Sequence, residues 1–265
     1  MAEPMSAPSL VRRQYARPDQ LRTRQRLWSY HTGRSWMDDA LDTVGARGGE
    51  TVLDVGCGAG RWLAALRRRG HTGRLLGVDI SPGMAAAAAE RTGAAALVAD
   101  AVALPLPDAT ADVALAAHML YHTPEVPAAV AELRRVVRPG GVVLATTNGA
   151  RHIAEIRAVM DEAAARVGAR RRAITPSFTL ENGEEILGAS FTRVRRHERV
   201  AAVVVPAVEP VVDYVASFDD PQLVGLPAGT PWRDFLAEVD RIVRDHVRRH
   251  GAFTVTRHPG FFVCA

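Results

Sequence analysis

Val52-Leu-Asp-Val-Gly-Cys-Gly-Ala-Gly-Arg61 is the stretch on which the fold turns. Thr51–Val55 is a short apolar run. Gly56, Gly58 and Gly60 break it before Arg61–Arg69, where Leu63 and Leu66 share a helical face. A strand that ends in glycines and opens into a helix lets backbone groups approach a ligand that a Cβ would hold off. Asp79 ends the next apolar run, roughly 20 residues on, the interval at which a carboxylate meets a ribose diol. It accepts from both hydroxyls and repels a 2′-phosphate. These features predict a nucleoside-bearing ligand; a tight turn without a ligand is the other reading. The dinucleotide fingerprint is spaced G-x-G-x-x-G/A, whereas here it runs G-x-G-x-G with Arg61 in the sixth place, which disfavours NAD and FAD. Asp54, two residues before Gly56, is out of place beside a pyrophosphate and suits a cationic ligand, since a carboxylate favours an ammonium.

Working outward, Leu75–Val78 reads as a second strand and Pro82–Arg91 as a helix with its proline early, where proline is tolerated. Ala96–Ala99 and Val113–Ala117 read as short buried strands. Val126–Val137 is helical, Pro139-Gly140-Gly141 is a turn and Val142–Thr146 another strand. Strands alternating with helices at this spacing predict a parallel sheet with helices on both faces. Further on, Arg151–Val167 is a helix with Ile153, Ile156, Val159 and Met160 along one face, and Thr179-x-x-Asn182 caps a short helix over Glu184–Leu187. Phe191–Val205 and Ala252–Val263 read as strands flanking the helix Trp232–His250. Upstream, residues 1–35 are polar and Arg-rich, with a helix from about Asp19 to Tyr30.

Five segments in order, Asp54–Gly60, Asp79-Ile-Ser-Pro-Gly-Met84, Ala99-Asp-Ala101, Asp112–His122 and Arg138-Pro-Gly-Gly141, resemble the successive motifs of class I S-adenosylmethionine-dependent methyltransferases over about residues 48–148. The resemblance implies S-adenosyl-L-methionine as cofactor and an α/β, Rossmann-like fold: a seven-stranded, mostly parallel sheet with its last strand antiparallel and helices on both faces. It implies that Gly56 and Gly58 line the methionine part, with Asp54, Cys57 and Gly60 in the same loop, and that Asp79 binds the ribose hydroxyls. Ile80 and Met84 would pack on the adenine, Asp100 would bond its amino group beside Ala101, and Ala117 and His118 would sit beside the sulfonium. The late strands would supply the closing hairpin-like pair. The division expected is an N-terminal helical cap over 1–44 and a methyltransferase domain over 45–265, with its cofactor half at 48–148, a substrate-side insertion at about 150–190 and closing strands at 191–265.

Composition narrows the chemistry. The chain has 265 residues and 33 basic side chains, all arginine, against 29 acidic ones, a formal charge of +4. Without lysine there is no Schiff base, catalytic lysine or Walker-type phosphate lysine. With 48% hydrophobic and 23% charged residues, one elaborated globular domain is expected. Two cysteines, Cys57 and Cys264, make neither a disulfide framework nor a four-ligand zinc site. Met1–Gln20 lacks an apolar segment and carries Arg12, Arg13 and Arg17, so a cytoplasmic protein without membrane contact is expected.

Methyl transfer from a sulfonium needs alignment first, and a general base only if the acceptor must lose a proton. His118 and His122, four apart in His118-Met-Leu-Tyr-His122, are the candidate bases; the alternative is that they share a helical face and shape the wall. The sequence Ala117-His-Met-Leu-Tyr121 lacks the (N/D/S)-P-P-Y signature of base-amine methylation, neither cysteine is placed for base C5 attack, and no cluster suggests a metal. A small organic acceptor is therefore the leading expectation. RNA is the alternative, through Arg170–Arg172 and Arg193–Arg199, although a solvated surface explains those arginines, and Arg241, Arg244 and Arg248, better. A non-catalytic cofactor-binding regulator is a third reading. Tyr15, Trp28, Tyr30, His31 and Trp36 concentrate aromatic residues in the N-terminal stretch, which suggests a lid; Tyr15, Tyr30, His31 and Tyr121 are candidate substrate contacts. A monomer or homodimer is expected, with the edge near Phe261–Val263 open to a partner strand.

Overall fold

The computed structural model describes residues 23–24, 26–46, 48–172, 176–218 and 221–265. Tyr15 and the first part of the expected N-terminal helix lie outside them. The main sheet has seven strands: β1 (Val52–Val55), β2 (Leu75–Asp79), β3 (Ala95–Val98), β4 (Ala111–Ala117), β5 (Val137–Asn148), β6 (Val194–Glu198) and β9 (Pro259–Cys264), in the order β3-β2-β1-β4-β5-β9-β6. β1 to β5 pair in parallel, and β9 runs antiparallel to both β5 and β6. The strand order reverses between β1 and β4, and in open α/β sheets ligands bind at the carboxyl ends of the strands beside such a reversal.

The central strands are apolar on both faces, as a sheet covered twice requires. Leu53 and Val55 of β1, Ala114 and Ala116 of β4, Val143 and Ala145 of β5 and Phe262 of β9 enter one core with helix α4 (Val126–Val136). Val52, Val113, Leu115, Leu144 and Phe261 enter the other, against α1 (Trp36–Val44), α2 (Arg61–Arg68) and α3 (Pro82–Thr92). By the same alternation Asp54 points to the face of Val52. Helix α3 starts where Ser81 accepts from the Met84 N–H (3.4 Å), with Pro82 in its first turn, and stops at Gly93 in the left-handed region.

A third core stands apart. Helices α5 (Ala154–Arg166), α7 (Glu209–Ala216) and α9 (Trp232–His250) pack with the two-stranded sheet β7 (Ala201–Val205) and β8 (Phe253–Arg257); Leu27 of the N-terminal segment is fully buried among them. The short helices α6 (Gly183–Gly188) and α8 (Pro221–Val224) complete the set.

Several expectations change. Ala96–Ala99 was expected to be buried, but β3 is an edge strand, with Leu97 38% and Val98 56% exposed, because only β2 flanks it. Pro139-Gly140-Gly141 stays within β5 as an irregularity: the register steps from Ala111↔Val137 to Val113↔Val142. The two long late strands each break in two: β6 and β9 join the main sheet, while β7 and β8 leave it and close the third core. Phe261–Val263 is no edge, since β9 lies between β5 and β6. The third core draws on residues 154–166 and 201–257, so it reaches well beyond the segment 150–190.

Candidate active site

The loop after β1 holds Gly56, Gly58 and Gly60 at φ of 68°, 51° and 72°, which only glycine adopts cheaply. Each has a different reason to lack a side chain. A Cβ at Gly56 would come within 2.6 Å of Met119 Cβ, and one at Gly60 within 3.0 Å of the Ala88 Cα of helix α3. A Cβ at Gly58 would meet nothing within 4 Å, so that glycine borders open space. Cys57 between them is buried, its Sγ directed at the Gly58 carbonyl (3.5 Å). Burial, with Asp54 and Asp79 nearby, pushes its thiol far up, so it holds no thiolate.

Asp79 ends β2 and ties the loop down: its Oδ2 accepts from the Gly58 N–H (2.8 Å) and its Oδ1 from the Ser81 N–H (2.9 Å). Partial burial raises its affinity for a proton, and these two donors oppose the rise. Each oxygen keeps a lone pair for a further donor. Asp54 differs: it is fully buried and neither carboxylate oxygen has a hydrogen-bond partner among the described residues. Burial, then the charge of Asp79, raises its pKa well above the carboxylate range. Beyond β3, Asp100 accepts from the Val102 N–H (3.2 Å) through Oδ1, which leaves Oδ2 without a partner among the described residues. Ile80 is half-buried beside Asp79, Ala101 is buried, and Met84 is 1% exposed beneath helix α3, facing the interior.

Across the strand-order reversal, β4 ends at Ala117 and the chain turns at His118, whose φ of 55° is unusual for a side chain with a Cβ. The His118 N–H is held by the Thr146 carbonyl (3.2 Å) and Oγ1 (3.0 Å). Leu120–His122 is a single 3-10 turn, so His118 and His122 do not share a helical face, the geometry that the alternative reading gave them. Burial, then Arg257, Arg61 and His122, push the His118 imidazole down to about 3; burial, then Arg24, push His122 down to about 4. Trp36 stands edge-on to His118 (5.3 Å) and to Trp62 (5.6 Å), and Tyr121 lies 6.3 Å from His118.

Residues not singled out from the sequence complete this wall. His152 stacks on Trp28 (5.3 Å), its Nδ1 accepts from the His258 N–H (3.2 Å), and burial pushes it to about 3. Arg257 lies over the Trp28 ring (5.4 Å to the centroid), and its charge is the first after burial to depress both His118 and His31. Tyr30 packs on the third core. A lone histidine and an arginine at a strand end carry no local motif, so only the fold could bring them here. No group of three or more metal-ligating residues exists among the described residues. Of the surface arginines, Arg171 pairs with Asp161, Arg196 with Glu198, Arg199 with Asp39, Arg241 with Glu238, Arg244 with Asp240 and Arg248 with Asp245, while Arg170, Arg172, Arg193 and Arg195 have no ion pair among the described residues.

Known proteins share this arrangement. Residues 53–145 match the family described as a methyltransferase domain. Malonyl-[acyl-carrier protein] O-methyltransferase of Serratia marcescens is 40% identical over 109 residues, 41% of this chain and 42% of that protein. Demethylmenaquinone methyltransferase of Bacillus licheniformis is 33% identical over 121 residues, 44% of this chain and 52% of that protein. These matches therefore span about half or less of the relatives' length. A methyltransferase fold from Anabaena variabilis, described as a protein of an antibiotic biosynthesis pathway, superposes with a TM-score of 0.59 at 16% identity over 87% of this chain and 96% of that one. The likeness to a methyltransferase domain thus lies in residues 53–145, which run from β1 into β5. No described helix is long and apolar enough to cross a membrane.

Proposed function

We propose that the chain transfers a methyl group from S-adenosylmethionine to a small organic acceptor by in-line displacement. The observation that carries this reading is Asp54: a fully buried carboxylate with both oxygens unpartnered, behind a glycine loop that Asp79 organises. An isolated buried acid is costly, and a ligand ammonium is the natural partner for it. The residues fit the cofactor elsewhere too. Asp79 has acceptor capacity for a ribose diol, Asp100 Oδ2 for an adenine amino group with Ile80 and Ala101 alongside, and the space by Gly58 admits a methionyl chain that a Cβ would obstruct.

S-adenosylmethionine supplies an electrophilic methyl on a sulfonium. The chain's part is to orient it against the acceptor and to exclude water, with Gly56, Ala117 and His118 bordering the reacting centre. His118 and His122 act as neutral walls in this reading. An imidazole titrating near 3 or 4 removes protons poorly from an ordinary hydroxyl or amine, and effective bases titrate near the working pH. The N-terminal segment acts as a lid, supported by Trp36 against His118 and by Leu27 within the third core. Both relatives are named for organic acceptors, which supports a small molecule. Two free, buried thiols suit a cytoplasmic setting. Incubation with methyl-labelled S-adenosylmethionine and fractionated small-molecule extracts tests the reading: label should enter an organic product. Label appearing only in RNA would overturn it.

A further inference from the structure

Arg257 is the last residue of β8, and its neighbours are pinned on both sides. The Thr256 N–H and Oγ1 donate to the two oxygens of Glu155 (2.7 and 2.5 Å), and the Thr256 carbonyl accepts from the Ile153 N–H (2.8 Å). The His258 N–H is held by His152, and its Nε2 lies 2.9 Å from Glu198. A pinned backbone thus presents the guanidinium of the half-buried Arg257 over the ring of Trp28, on which His152 also stacks, and its charge acts on His118, His152 and His31.

That guanidinium has no ion pair and no hydrogen bond among the described residues. The acids around it are engaged: Glu155 with Thr256, Glu198 with Arg196 and His258, and Asp39 with Arg34 and Arg199. Its charged neighbours are Arg61 and Arg199, and Arg61 is likewise without an acidic partner among the described residues. Arg61 is exposed and Arg199 is paired with Asp39, so the half-buried Arg257 is the cation of the three that lacks an acidic partner while partly withdrawn from water, a charge that an entering anion would offset. The planar fork of arginine matches a carboxylate with two parallel hydrogen bonds.

We infer that Arg257 binds the carboxylate of the methyl acceptor, so that the acceptor is an organic acid whose apolar body lies against Trp28. The inference rests on the methyl-transfer reading above. A carboxylate also occurs on the methionyl part of the cofactor. Arg61, which opens the helix after the glycine loop, stands on that side. Arg257 comes from the third core, with Trp28 and His152, and is assigned to the acceptor.

The test uses the full chain saturated with S-adenosylhomocysteine, titrated with hexanoate, benzoate and 3-phenylpropionate and with their neutral amides, followed by ligand-observed NMR. At least one acid should bind, at least tenfold more tightly than its amide. Arg257→Gln should abolish that preference and Arg257→Lys should keep part of it, while both hold S-adenosylhomocysteine within about threefold of the parent. Equal binding of acids and amides by the unsubstituted chain, or no binding of any acid, would overturn the inference whether or not the variants fold. A tenfold loss of S-adenosylhomocysteine affinity in Arg257→Gln, with acid binding kept, would move the arginine to the cofactor and overturn it too. Failure of the unsubstituted chain to bind S-adenosylhomocysteine is a separate result, which removes the methyl-transfer reading itself.

Discussion

Gly58 and Gly60 are two residues apart in one loop, both left-handed, yet alanine at each should fail differently. At Gly60, alanine pays about 1–2 kcal/mol for the left-handed backbone. It also places a methyl 3.0 Å from the Ala88 Cα and 3.1 Å from Thr92 Cγ2, where helices α2 and α3 meet. Backbone cannot give way as a flexible side-chain end can, and overpacking of this kind costs about 1–3 kcal/mol more. The sum, about 2–5 kcal/mol, corresponds to a fall in Tm of about 5–15 °C for a chain of this size. At Gly58 the backbone cost is the same, but the new methyl meets nothing within 4 Å. The fall in Tm should therefore stay at about 2–6 °C. That methyl would, however, occupy the space assigned to the methionyl chain, and S-adenosylhomocysteine affinity should drop at least tenfold. Differential scanning calorimetry and isothermal titration on both variants separate the two effects. Equal losses of Tm, with affinity reduced only in Gly60→Ala, would refute the assignment of the open side of the loop.

Three further outcomes follow from named contacts. Because burial raises the folded-state pKa of Asp54, its contribution to stability is most favourable below the ordinary carboxylate range and falls as pH rises toward the raised value. Asp54→Asn should therefore raise the Tm of the ligand-free chain at pH 8 and weaken S-adenosylhomocysteine at least tenfold; a lower Tm with unchanged affinity would contradict the ammonium assignment. His118, His122 and His152 have the opposite sign: held neutral down to about 3, 4 and 3, they let stability persist above their unfolded value near ~6.5 and lose it as pH falls toward 4. Each histidine can contribute up to about 1.4 kcal/mol per pH unit in that window. Urea titrations at pH 7 and pH 5 should show the loss, and His152→Phe, which keeps the stack on Trp28, should reduce it. Leu27→Ala should destabilise the chain by about 2–4 kcal/mol, because the side chain is fully buried in the third core; a change in chemical-denaturation midpoint under about 1 kcal/mol would show that the N-terminal segment is loosely attached.

The glycine loop and the strands around it were legible because their signals are local. A strand, three glycines and an acid at the end of the next strand specify one turn; in the structure Asp79 ends β2, Asp54 is the penultimate residue of β1 and Asp100 lies two residues past β3. The grouping around Arg257 was legible only in part: Trp28 stood out among the N-terminal aromatics, whereas His152 and Arg257 did not. Trp28, His152 and Arg257 come from an N-terminal turn, a loop after β5 and the end of β8, and nothing in their immediate sequence links them. The breaks in the two late strands were missed for a related reason. Val203 and Val205 continue the alternation of a strand, and only the third core explains why they leave the main sheet. The turn at His118 was not legible either, because a spacing of four between His118 and His122 suggests a helix, whereas His118 has a positive φ.

The most direct test of the central claim is calorimetric titration of the full chain with S-adenosylhomocysteine, run beside Asp79→Ala. The structure predicts one molecule bound per chain and at least a tenfold loss in the variant, which removes the acceptor for the ribose diol and for the Gly58 and Ser81 N–H groups. Absence of binding by the unsubstituted chain, or equal binding by Asp79→Ala, would contradict it.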